Sequence, residues 1–108
     1  MLKKLFSVKL NPDTTNERNS EVVQWFSRMN RESIPASIEY AEDGRRKVDV
    51  VDLSSDLMST IEDDVTLVAH LLFERYKMKN SGDGAFYRKS SVEDFNNFKS
   101  YFVVEEAR

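Results

Sequence analysis

Cysteine is absent from the 108-residue sequence, which also has only one histidine, two prolines and three glycines. Without a thiol the chain forms no disulfide, offers no thiolate nucleophile and binds no zinc or iron–sulfur cluster through sulfur. That usage suits a reducing compartment, and the cytoplasm is the expected location. The single glycine-rich stretch, Ser81-Gly82-Asp83-Gly84, has neither a P-loop lysine nor Rossmann spacing, so it is expected to be a turn. No nucleophile-elbow motif surrounds any serine, and no EF-hand spacing links the acidic residues. Long apolar runs are missing too. The longest, Leu71–Phe73 with neighbouring Val65–Ala69, falls far short of the roughly 18 residues a membrane span needs. Met1–Leu10 lacks an apolar signal core and a small-residue cleavage site, so the chain is expected to be neither secreted nor membrane-spanning. A large excess of one charge is also lacking: 16 Lys+Arg against 19 Asp+Glu gives −3. That balance attracts neither nucleic acid nor anionic lipid as a whole, and it is too small for a carboxylate-built DNA mimic.

What is present is a chain of one-domain length, expected as a single α+β domain over 1–108. Leu2–Leu10 alternates, with Leu2, Phe6, Val8 and Leu10 on one side and Lys3, Ser7 and Lys9 on the other, the period of a half-buried strand. Leu5 breaks the pattern on the outer side. From Ser20 to Arg31, Val22, Val23, Trp25, Phe26 and Met29 share one helical sector, and Ile34-Pro35 is expected to stop that helix. Ser37–Leu53 predicts a hairpin around Glu42-Asp43-Gly44-Arg45. A longer loop pairing Tyr40 with Val48 and Ile38 with Val50 is preferred over a two-residue turn, although it sets Glu39 against Asp49.

Ser54, Ser55 and Asp56 predict the start of a long helix reaching about Lys79, with an apolar sector opposite a polar stripe of Asp63, Thr66, His70, Glu74 and Lys77. Asn80–Gly84 predicts a turn and Ala85–Arg88 a short strand. Ser91 with Asp94 predicts a capping box opening a last helix with Phe95, Phe98 and Phe102 on one face, after which Val103–Arg108 frays. The order βαββαβ plus a C-terminal helix predicts a ferredoxin-like sandwich, a four-stranded antiparallel sheet with two helices on one face. Its open face is expected to show Lys3, Leu5, Lys9, Glu39, Lys47, Asp49 and Val51. Leu5, Val51 and Leu53 form an apolar spot there on which the three phenylalanines would dock.

Three functional classes follow. A metal-dependent enzyme would need His70 to converge with Asp63 and Glu74, but such spacing is ordinary for a solvated helix face, and no acid, base or nucleophile is named by a motif. No metal, cofactor or catalytic residue is therefore expected. A nucleic-acid domain would grip phosphates with Arg45, Arg46 and Lys47 at the hairpin and Arg28 and Arg31 on the first helix. An RNA platform, however, needs outward aromatics on the central strands, and the expected open face has none. Protein recognition is the leading expectation. Seven Phe, four Tyr and one Trp exceed an obvious core's needs, and Trp25, Tyr87, Tyr101 and Phe73 fall at the margins of apolar sectors, where partner anchors sit. The same aromatics would equally finish a core or a homodimer seam. A small, motif-free chain of this kind suits a phage-type host-modulating or anti-defence inhibitor that occupies a protein surface through Arg28, Arg31, Arg45, Arg46, Lys47 and these aromatics.

Overall fold

A computed structural model describes residues 2–13, 21–29, 32–58, 63–80 and 92–107. In chain order they form β1 (Lys3–Leu10), α1 (Glu21–Ser27), β2 (Ile34–Tyr40), β3 (Arg46–Val50), β4 (Leu53–Leu57), α2 (Asp64–Asn80), α3 (Val92–Lys99) and β5 (Phe102–Ala107). The strands make one antiparallel sheet in the order β4-β3-β2-β1-β5. The α+β class stands, but the ferredoxin-like order does not. In a split βαβ unit another strand sits between the two strands that a helix joins, whereas here β1 pairs directly with β2, from Lys3 against Glu39 to Val8 against Ile34.

Period-two alternation sorts the sheet residues. Phe6 and Val8 of β1, Ile34, Ala36 and Ile38 of β2, and Val48 and Val50 of β3 are buried against the helices, while Leu5 points the other way and stays exposed. The β2–β3 loop is Glu42-Asp43-Gly44, closed by Gly44 N–H donating to the Ala41 carbonyl at 3.1 Å and Ala41 N–H to the Arg45 carbonyl at 2.9 Å. Gly44 adopts φ 87°, the left-handed geometry that a three-residue hairpin loop demands. The register is therefore Tyr40 with Arg46 and Ile38 with Val48, two residues from the expected pairing. It replaces the unfavourable Glu39–Asp49 opposition with Glu39 opposite Lys47.

Ser54, Ser55 and Asp56 do not begin a helix. Val51 and Asp52, at φ 45° and 63°, form a two-residue turn that returns the chain as β4, with Leu53 opposite Val50 and Leu57 opposite Arg46. The helix begins later, where the Asp63 side chain accepts the Thr66 N–H at 3.1 Å as an N-cap. α1 ends at Ser27, short of the expected Arg31, and its buried residues are the expected Val22, Val23, Trp25 and Phe26.

Val103–Ala107 does not fray but pairs along β1 as β5. Phe102 starts that strand instead of lying on the helix. α3 packs on the same side as α1 and α2, so Phe95, Phe98 and Phe102 enter the single core and do not cap the opposite face. Phe98 is its centre, with ring centroids 4.9 Å from Phe102, 5.0 Å from Phe73, 5.3 Å from Tyr76 and 6.3 Å from Trp25. Asn80, expected to open a turn, ends α2, and the rest of that turn, Ser81–Gly84, and the expected short strand at Ala85–Arg88 lie outside the described residues.

Candidate functional site

With all three described helices on one side, the other face of the sheet carries, among the described residues, only its own side chains. Its charges form a ladder that crosses four strands. Lys3 of β1 faces Glu39 of β2, Glu39 faces Lys47 of β3, and Lys47 faces Asp56 of β4, with the Lys3–Glu39 ion pair at 3.8 Å. Towards β5, Lys9 pairs with Glu105 at 3.8 Å. Next to the ladder, Leu5 is 51% exposed among otherwise polar outer residues of β1. It borders a depression of about 280 Å³ with Pro35 and Val51, rimmed by Lys3, Asp49 and Asp52. Of the expected spot, Leu5 and Val51 are present and uncovered by α3, whereas Leu53, directly opposite the inward-facing Val50, lies on the helix side. Val51 is held at the depression by the left-handed turn, a costly backbone geometry for a β-branched residue. Nothing in the sequence around Val51 signals that turn.

The hairpin trio does not project as one patch, because alternation separates its members. Arg45 sits at the exposed tip, 3.9 Å from Asp56, and Lys47 joins the charge ladder. Arg46 turns inward, its side chain only 11% exposed and its Nη1 donating to Asp64 Oδ1 at 2.8 Å. Asp64, the first residue of α2, also accepts from the Tyr40 hydroxyl and from Lys4 Nζ at 3.3 Å. Burial alone would raise the Asp64 carboxyl, but the bonds from Tyr40, Arg46 and Lys4 outweigh it and hold it below the ordinary aspartate value. Burial first, and then the bond to Asp64, pushes the Tyr40 phenol up. This cluster ties the start of α2 to the sheet, and sequence reading missed it because the helix start was misplaced.

The remaining expected contact residues are scattered. Arg28 is exposed just beyond α1, in the segment that leads to the start of β2, whereas the hairpin tip follows the end of that strand. Trp25, expected at a surface margin, is buried, edge-on to Tyr76 with centroids 5.3 Å apart, and its Nε1 meets no hydrogen-bond partner among the described residues. Tyr101 is half-buried against the core. Arg31 and Tyr87 lie outside the described residues.

On the expected polar stripe Asp63 and Glu74 are exposed, but His70 is half-buried. Its ring stacks on Phe95 with centroids 3.8 Å apart and planes 10° off parallel, because α3 packs over that side of α2. Burial pushes its pKa down against the opposing pull of Glu74. Among the described residues no group of three or more His, Asp or Glu side chains is placed to hold a metal ion, and no helix is long and apolar enough to cross a membrane. Comparison with protein-family models, curated proteins and solved structures finds no match to the chain.

Proposed function

We propose that the protein is a non-catalytic binding module that acts by occupying the surface of another protein, in the manner of a phage-type inhibitor of a host or defence protein. The sheet face opposite the described helices carries the contact. The supporting observation is the apolar depression at Leu5, Pro35 and Val51 set beside a ladder of alternating charge, an arrangement of apolar anchor and polar rim common to protein interfaces. The same ladder argues against the nucleic-acid reading. Lys3, Lys9 and Lys47 each face a carboxylate, so few counterions would be released on meeting phosphates, and no aromatic among the described residues of this face offers a stacking platform. The reading assigns the protein to the cytosol, which a chain without cysteine suits.

The test compares wild type with Leu5→Asp in affinity capture from host lysate, beside titration of DNA and RNA single strands and duplexes near physiological ionic strength. Leu5 is exposed, so the substitution should shift stability by no more than about 0.5 kcal/mol while abolishing capture of the partner. Capture indifferent to Leu5→Asp, or nucleic-acid affinity tighter than about 10⁻⁶ M, overturns the proposal.

A further inference from the structure

β4 is the last strand at one end of the sheet, and among the described residues only β3 pairs with it. Alternate residues of such an edge direct their backbone N–H and C=O groups away from the sheet, a ready template for another strand. Between this edge and α2 runs a groove of about 310 Å³. It is bounded by Ser54, Ser55 and Leu57 on the strand and by residues from His70 to Met78 on the helix, so it follows both elements for about two helical turns.

Its apolar part is Leu57, Leu71 and Met78, the last 45% exposed, and Met58 just beyond β4 is 80% exposed. Methionine at a surface adapts to varied apolar partners.

The polar part is unbalanced. Glu74 is paired with Lys77 at 3.5 Å. Arg75 also lines the groove, is half-buried, and makes no ion pair or hydrogen bond with any described residue. A guanidinium brings five donors in a planar fork suited to a carboxylate. Leu71 and Arg75 stand one turn apart on α2, about 6 Å along the axis, close to the roughly 6.7 Å between alternate side chains of a strand. One face of an extended peptide therefore reaches both.

We infer that this groove binds an extended acidic segment of a partner protein, which adds to the sheet beside β4, seats an aliphatic side chain against Leu57, Leu71 and Met78, and presents a carboxylate to Arg75. The site is separate from the sheet face opposite the helices, and binding there does not require that face to be an interface.

The experiment titrates the isotope-labelled full chain, followed by amide NMR, with the blocked peptide acetyl-Thr-Val-Thr-Leu-Thr-Glu-Thr-amide. Saturable shifts are expected along Leu53–Leu57 and the His70–Met78 stretch, with slowed amide exchange at alternate residues of β4. Arg75→Ala, or glutamine for glutamate in the peptide, should weaken binding about tenfold, the worth of one charge-assisted hydrogen bond. Arg75→Lys should recover part of the loss, and Leu5→Asp should leave peptide binding unchanged. N-methylation of alternate peptide bonds should abolish it in one of the two possible registers. Absence of shifts at millimolar peptide, equal affinity of wild type and Arg75→Ala, or concentration-dependent shifts at β4 without peptide, the sign of a second copy on that edge, each overturns the inference.

Discussion

Replacing Asp64 by asparagine keeps the size of the side chain but removes the charge that three donors share. One carboxylate oxygen becomes an amide N–H₂ facing donors, so Arg46, Tyr40 and Lys4 compete for a single neutral acceptor. Lys4 is well exposed and its pairing adds little. Arg46 decides the magnitude, because its side chain is 11% exposed and its partner 18%. Stripping the partner from a fully buried pair costs about 3–5 kcal/mol, and the residual solvent contact here brings the expectation to about 2–3 kcal/mol. Loss of a negative charge in the first turn of α2 adds about 0.3–1 kcal/mol. The folded-state pKa of Asp64 lies below its unfolded value, so its contribution is fully present above the unfolded pKa and is lost as pH falls through the folded one. Urea unfolding of wild type and Asp64→Asn from neutral pH downward should therefore show a gap of about 3 kcal/mol that begins to close as pH falls to the ordinary aspartate value, about 4, and is lost only as pH passes through the lower folded value. A neutral-pH gap under about 1 kcal/mol, the worth of an exposed pair, or a gap that widens on acidification, refutes the assignment of this cluster as the clamp on α2.

Val51→Asn should stabilise the protein, because asparagine tolerates the left-handed geometry that costs a β-branched residue about 1–2 kcal/mol. Loss of the half-buried valine surface offsets part of the gain, leaving a rise of a few degrees in melting temperature, readable by calorimetry. A lower melting temperature contradicts the strain argument, and on the proposed function the same variant should capture its partner less well. Phe98→Ala should cost about 3–5 kcal/mol in denaturant unfolding, as expected for a ring packed against four others. A loss under about 1 kcal/mol would mean that α3 does not belong to the core.

Periodicity alone determined which side chains share a face. The alternation of β1, the apolar sector of α1 and the exception at Leu5 were all legible, because a strand or helix pattern encodes orientation within a few residues. The β2–β3 hairpin was legible to the same depth. The expected and observed registers differ by two residues, so both send Ile38 and Val48 inward, while the left-handed Gly44 and the three-residue loop chose between them.

Local signals misled where distant partners outweighed them. Ser54, Ser55 and Asp56 are good helix starters, yet pairing with β3 made them β4, and Asp63 capped the helix instead. Three phenylalanines mark an apolar surface without stating what it meets. Pairing of β5 with β1 turned Phe102 inward and brought α3 to the helical side, away from the opposite face. Arg46 sits between two basic neighbours, and only the sheet's alternation and the placement of Asp64, 18 residues away, turned it from a surface cation into a clamp. Neither the charge ladder nor the groove beside β4 belongs to any one segment. Both exist because backbone pairing and core burial bring separate segments together, and no window of sequence contains that information.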